Sequence, residues 1–250
     1  MEPYGNPLVR NLLYYVYPVK GNGIWQWNVG HLLKRIGQFN GKRIVAVATD
    51  CTTDSIGIVK EAFGKNIEHF IELKNEPYLR DVKAFPLLFN EVASHAPNEI
   101  TMYGHTKGVW RSTFNPGMAD AIRRWAEVSY AAAMDYPDLV EKALVRHPIA
   151  GVFFRGGMVV PPSAAPWHFS STFFWVRHSK TFNRFNWDRI DQYPLGMEMW
   201  PGNVFLSGEA AVLFGCGGHE LNLYCAGFWQ GTMEPLWASW QERNKEHKVY

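Results

Sequence analysis

Along the first hundred residues, apolar positions alternate between short unbroken runs and longer stretches in which they recur every three or four residues. Residues 12–17, Leu-Leu-Tyr-Tyr-Val-Tyr, form a near-continuous apolar and aromatic run closed by Pro18, the pattern of a strand buried on both faces. After Gly21-Asn22-Gly23, the residues Trp25, Val29, Leu32, Leu33 and Ile36 fall at helical spacing, and Asn40-Gly41 marks a turn. Residues 44–49 predict a second buried strand ending at Asp50, residues 56–63 a short helix, and residues 67–73 a third strand. Leu79, Val82, Phe85, Leu88, Phe89 and Val92 make another helical stripe, which Pro86 kinks or restarts. Residues 100–103 predict the fourth strand. Strands separated by helices in this way predict an α/β fold, a mostly parallel sheet covered on both faces. Ligands of such sheets bind beyond the carboxyl ends of the strands. One edge would therefore carry residues 18–23, 50–54 and 105–111.

The second half has a different rhythm. Met118, Ile122, Trp125, Ala126, Ser129 and Ala133 mark a long helix that Pro137 interrupts, with a second helical piece over 138–145. Residues 151–154 predict a strand ending at Arg155-Gly156-Gly157. An irregular, proline-rich connection (Pro161, Pro162, Pro166) leads to residues 168–176, an aromatic, β-prone run that predicts one central strand. Residues 196–202 read as a loop before a helix over 208–214, and the polar residues 241–248 as a surface helix or frayed end. With no internal repeat and no linker, residues 1–250 read as one domain.

Composition narrows the class. A chain of 250 residues with 47% hydrophobic and 19% charged residues is folded and globular, with a sizeable core. A formal net charge of +2 and the lack of a basic run exclude a strong field for nucleic acid or an anionic membrane. No apolar stretch approaches the ~20 residues that span a bilayer, and no basic-then-apolar leader opens the chain. Cys51, Cys216 and Cys225 are odd in number and make no C-x-x-C pair, so a reducing cytoplasm is the expected setting. The 11 Trp supply both core filler and faces on which sugars could stack.

The chemistry gathers in a few segments. Tyr103-Gly104-His105-Thr106-Lys107-Gly108, with Arg111 beyond it, delivers cationic groups to a turn at the end of the fourth strand. Together with His168-Phe169-Ser170-Ser171-Thr172-Phe173-Phe174-Trp175 and Glu198-Met199-Trp200-Pro201-Gly202, it resembles a family of polysaccharide-type sugar transferases. In that family a His-Thr-Lys-Gly turn precedes a His-aromatic-Ser strand and a later acidic-x-Trp element. Tyr15-Val16-Tyr17-Pro18 and Phe39-Asn40-Gly41 are similar to its first strand and first turn. The likeness spans about residues 12–215 and is sharp only at these motifs. Ser171-Thr172 stands where the commoner pattern has Gly-Asn. The resemblance implies a GT-A-like (Rossmann-like) fold, a nucleotide-sugar donor and a glycan or other hydroxyl acceptor. It also implies a nucleotide-binding half over about 10–112 and an acceptor half over about 113–250.

Sugar transfer needs charge stabilisation on the leaving phosphates and a base for the acceptor hydroxyl. No Asp-x-Asp metal turn occurs in the sequence. His105, Thr106, Lys107 and Arg111 stand in its place, so metal-independent transfer without a cofactor is the expectation. A well-placed donor is worth about 3–4 kcal/mol in such a role. A metal shared by His105 and Glu198 is the weaker alternative. Glu198 or His168 is the expected base. Asp50 and Tyr17 are further donor-binding candidates; Ser170, Ser171, Trp175 and Trp200 are candidates for the acceptor. Each also has an ordinary structural role open to it: Lys107 as a turn lysine, His168 as a core histidine, Asp50 as a helix cap, the tryptophans as packing. Among rival activities, a nicotinamide-dependent oxidoreductase would use Gly21-Asn22-Gly23, but Gln26 stands where the third glycine of G-x-G-x-x-G belongs. A glycoside hydrolase would need two facing carboxylates from Asp188, Glu198 and Glu209. A non-catalytic glycan-binding protein would need the aromatics without the cationic turn.

Overall fold

The structure is a computed structural model that describes residues 7–21, 23–109, 116–157, 161–217 and 223–249. Its strands are β1 (Val9–Val16), β2 (Arg43–Thr49), β3 (His69–Lys74), β4 (Glu99–His105), β5 (Ile149–Val152), β6 (Phe154–Gly156), β7 (Trp167–Phe169), β8 (Phe174–Arg177) and β9 (Ala210–Phe214). The longer helices are α1 (Ile24–Leu33), α2 (Ile56–Phe63), α3 (Phe85–Val92), α4 (Ala119–Met134), α5 (Pro137–Arg146), α6 (Gly196–Val204) and α7 (Glu234–Arg243). Seven strands form one sheet in the order β3-β2-β1-β4-β8-β5-β9, and β6 pairs with β7 apart from it. β1 to β4 are mutually parallel, and β5 is parallel to β9. Within this sheet, β8 runs against its neighbours, β4 and β5. The α/β class with a mostly parallel sheet is thus as expected.

Residue alternation in the strands sorts side chains to two cores. Leu12, Tyr14 and Val16 of β1, with Val45, Val47 and Met102, pack beneath α1, α2, α4 and α5. Leu13 and Tyr15, with Ile44, Ala46, Ala48, Tyr103 and Phe174, pack beneath α3 and α6. Both faces are dry, which is why the strands read as unbroken apolar runs rather than alternating ones.

Two segments depart from the sequence reading. Residues 168–176 are not one strand: β7 leaves the main sheet to pair with β6, and β8 enters it. Between them, Ser170-Ser171-Thr172 turn on local hydrogen bonds. Thr172 N–H donates to the Phe169 carbonyl at 2.9 Å, and Ser171 Oγ accepts from Phe173 N–H at 3.3 Å. Short hydroxyl side chains offer the backbone this alternative to a ladder. Thr172 lies at φ 56°, a left-handed conformation that no continuous strand contains. Second, the expected loop at 196–202 is helix α6, and the expected helix at 208–214 contains strand β9. Gly202 serves close packing: a Cβ there would lie 2.0 Å from the Trp167 carbonyl oxygen, so glycine lets α6 lie against β7. The apolar run of β9 is too short for periodicity to separate helix from strand; pairing with β5 decides it.

Candidate active site

The order β3-β2-β1-β4 reverses direction between β1 and β4, which makes the crevice beyond their carboxyl ends the expected binding position for an open α/β sheet. A cavity of about 150 Å³ lies there. Tyr15 of β1 and Tyr17 just beyond it border the cavity, with His105 at the end of β4 and residues 106–109 that follow. Asn75, Arg80 and Asp81 follow β3, Trp125 comes from α4, Ser170 and Thr172 from the β7–β8 turn, and Glu198 from α6.

Backbone bonds fix the floor. Thr106 N–H donates to the Tyr15 carbonyl at 3.0 Å, and Thr106 Oγ1 accepts from Tyr17 N–H at 3.0 Å, so the two strand ends are spliced past the last ladder pair. Lys107 is held by Asn28 of α1, whose side chain is wholly buried. Asn28 Nδ2 donates to the Lys107 carbonyl and Asn28 Oδ1 accepts from Lys107 N–H, both at 3.1 Å. The same Oδ1 accepts from the Tyr130 hydroxyl at 2.9 Å, and Nδ2 also donates to the Ile24 carbonyl at 2.9 Å. Gly108, at φ 83°, then turns the chain in a conformation that side chains resist. The Lys107 side chain is 9% exposed. Its ammonium donates to the carbonyls of Ser170 and Ser171 at 3.3 and 3.4 Å and lies 3.7 Å from the centre of the Trp125 ring. Carbonyl dipoles and a π face thus surround the buried ammonium.

His105 stands beside Lys107 in the cavity wall. Its Nδ1 lies 3.2 Å from Asp81 Oδ2, which also accepts from the Tyr103 hydroxyl at 3.2 Å. Across the cavity, Glu198 Oε1 lies 3.4 Å from His168 Nε2, and Ser170 Oγ lies 3.2 Å from the same nitrogen. The spacing would suit an ion pair, but His168 is 1% exposed, and burial, assisted by Arg155, pulls its pKa down to about 4. Burial decides, because a charged imidazole must shed its hydration to occupy this position. His168 is therefore neutral near pH 7 and meets Glu198 as a hydrogen-bonding group.

The cavity brings together His105, Thr106, Lys107, Tyr17, Ser170 and Glu198. His168 stands just behind Glu198. Ser171 is fully buried and donates its hydroxyl to the Val152 carbonyl at 3.1 Å. Asp50 sits at the end of β2 in a turn: Oδ1 accepts from Thr52 N–H and Thr52 Oγ1, both at 2.6 Å, and Oδ2 from Asn75 Nδ2 at 2.5 Å. Burial pushes its carboxyl up, but the bonds from Thr52, Asn75 and Thr53 outweigh it and leave the pKa below the ordinary value. Trp175 and Trp200 lie away from the cavity, each sealed in a core. Their indole N–H groups donate to the carbonyls of Ala133 at 2.8 Å and Trp187 at 2.9 Å. Arg111 lies outside the described residues.

Sequence reasoning missed Asn28, Asp81, Arg80 and the role of Trp125. Asn28 and Asp81 left a signal: each is a polar residue within a helical apolar stripe, Asn28 beside Trp25, Val29 and Leu32, Asp81 between Leu79 and Val82. Arg80 and Thr172 take left-handed backbone angles, φ 54° and 56°. For side-chain-bearing residues this costs about 1–3 kcal/mol each, and such strain gathers at functional sites. Among the described residues, no group of three or more His, Cys, Asp and Glu is placed to hold a metal ion, and no helix is long and apolar enough to cross a membrane.

No protein-family model matches the chain, and no curated protein matches it in sequence. Among solved structures, a "putative nucleotide-diphospho-sugar transferase" from Desulfovibrio desulfuricans G20 is similar at a TM-score of 0.38 and 12% identity, over 96% of this chain and 99% of that one. A likeness of that degree assigns neither a family nor an activity.

Proposed function

We propose that this chain moves a sugar from a nucleotide-diphosphate donor to a hydroxyl of a glycan or other acceptor, with Lys107 supplying the charge that a metal turn supplies elsewhere. The observation that carries the reading is the pairing, across one cavity at the β1–β4 switch point, of a buried ammonium and a carboxylate, Lys107 and Glu198. In this reading the chain through β4 binds the nucleotide and the later elements bind the acceptor. As the bond from the anomeric carbon to the phosphate oxygen breaks, negative charge grows on the leaving diphosphate and Lys107 stabilises it. Such preorganised donors are worth about 3–4 kcal/mol. The acceptor oxygen bonds to the anomeric carbon and its proton passes to Glu198. Glu198 is the base rather than His168, because it lines the cavity whereas His168 is sealed behind it. Neutral His168 positions the carboxylate through Nε2.

A panel of nucleotide sugars and their nucleoside diphosphates tests this by calorimetry and by slow donor hydrolysis. Binding and hydrolysis that survive a chelator are expected. Response to nicotinamide cofactors alone would favour an oxidoreductase, and no nucleotide binding at all would refute the transferase reading. Activity lost to chelator and restored by a divalent cation would refute metal independence.

A further inference from the structure

The Ser170-Ser171-Thr172 turn touches both charged walls of the cavity. Its Ser170 and Ser171 carbonyls hold the Lys107 ammonium at 3.3 and 3.4 Å. Ser170 Oγ lies 3.2 Å from His168 Nε2, and the same nitrogen lies 3.4 Å from Glu198 Oε1. Ser170 and Ser171 thus engage their own hydroxyls within the protein, Ser171 on the Val152 carbonyl. Thr172 differs. It lines the cavity and is 4% exposed, yet its hydroxyl makes no hydrogen bond among the described residues. Nor is that oxygen sealed, as the unpaired Thr181 Oγ1 is; it keeps accessible surface. A largely buried hydroxyl without a protein partner is costly unless water or a ligand bonds it. The backbone adds a second observation. At φ 56° Thr172 holds an angle that a β-branched residue resists and that glycine adopts freely. Glycine would serve the turn better, so threonine here needs a reason in its side chain, and such strain gathers at functional sites.

We propose that Thr172 is a specificity-determining residue of this cavity, its hydroxyl forming a hydrogen bond with a hydroxyl of the transferred sugar. The class of ligand rests on the sugar-transfer reading. In that reading the anomeric carbon must lie between the leaving phosphate at Lys107 and the acceptor hydroxyl at Glu198, and the turn that touches both walls faces the sugar there. A hydroxyl both donates and accepts, so it suits a sugar hydroxyl in either sense. Lys107 then reads the phosphates and Thr172 the sugar.

Calorimetry on wild type, Thr172→Val and Thr172→Ser compares a nucleotide sugar with its nucleoside diphosphate, with urea midpoints as the control for folding. Thr172→Val keeps the branched shape and removes the hydroxyl. It should weaken the nucleotide sugar about fivefold to tenfold, one hydrogen bond's worth, and leave the nucleoside diphosphate and the urea midpoint unchanged. Thr172→Ala, which lacks the branching, should show the same selective loss, and Thr172→Ser should bind as wild type does. Equal weakening of both ligands would move the hydroxyl to the phosphates, and a serine variant as weak as the valine one would make shape the cause; either overturns the assignment. Among donor analogues each lacking one sugar hydroxyl, one should bind wild type and Thr172→Val alike, and a deficit that persists with every analogue would also overturn it. Unchanged affinity of Thr172→Val for a nucleotide sugar that wild type binds sinks the role of Thr172 alone. If wild type binds neither ligand, the transferase reading falls and takes this assignment with it.

Discussion

Replacing Asn28 by leucine removes the clamp on the Lys107 turn while changing side-chain volume little. In the native protein, Asn28 exchanges two 3.1 Å hydrogen bonds with the Lys107 peptide groups, in a position with no solvent exposure. In Asn28→Leu the Lys107 N–H and C=O each lose that buried partner, at about 1–3 kcal/mol apiece. The Tyr130 hydroxyl also loses Asn28 but keeps its contact with the Tyr14 hydroxyl, so it adds little. The added apolar burial of leucine offsets about 1–2 kcal/mol. The net loss is then about 0–5 kcal/mol, with a midpoint of about 2–3 kcal/mol that leaves a domain of the usual 5–15 kcal/mol stability folded while its turn opens. Urea unfolding at pH 7.5 measures the global loss, and hydrogen exchange at the Lys107 amide measures the local one. Affinity for nucleoside diphosphates should fall in parallel. A change under about 0.5 kcal/mol with Lys107 amide protection intact would refute the claim that Asn28 holds this turn.

Three further outcomes are expected. Lys107→Met keeps the stem against Trp125 but removes the charge and the bonds to Ser170 and Ser171; it should cost about 1–3 kcal/mol in urea unfolding and at least tenfold in nucleoside diphosphate affinity. Unchanged affinity would remove Lys107 from phosphate binding. Burial (with Arg155 for His168 and Lys42 for His178) holds both histidines near pKa 4, so below about pH 6.5 the unfolded chain binds protons that the native state refuses. Stability should therefore be full above pH 6.5 and fall toward pH 4, by up to about 2 kcal/mol per histidine at pH 5. Urea midpoints across that range should show a shallower fall in His178→Gln, and an unaltered slope would contradict the assignment. Gly202→Ala drives a methyl to 2.0 Å from the Trp167 carbonyl oxygen and should cost about 3 kcal/mol, whereas Gly30→Ala in α1, with open space around it, should gain up to about 1 kcal/mol; equal melting shifts would refute the packing role of Gly202.

Periodicity carried the first half well, because β1, β2 and β4 are buried on both faces and the intervening helices bury one. The helix at residues 56–63 and the restart at Pro86, which stands at the second position of α3, were legible for that reason. The Ser170-Ser171-Thr172 break was not legible. Its flanks are as apolar as a single strand, and only hydrogen bonding to Phe153 and Phe169 shows where the chain turns. Glycines at 196 and 202 signalled a loop, but their function is the approach of a helix to neighbouring backbone.

By itself the sequence determined the α/β class, the mostly parallel sheet and the edge at which Lys107 stands, because these follow from local hydrophobic pattern and from the chain's order of elements. Which groups meet at that edge was decided by tertiary structure alone. Asn28 lies 79 residues from Lys107, and Ser170 lies 63 residues from it. Asp81 and His105 are 24 residues apart, and no local pattern couples their registers. Buried hydrogen bonds are fixed by the packing of elements distant in sequence, and a one-dimensional pattern carries no record of that distance.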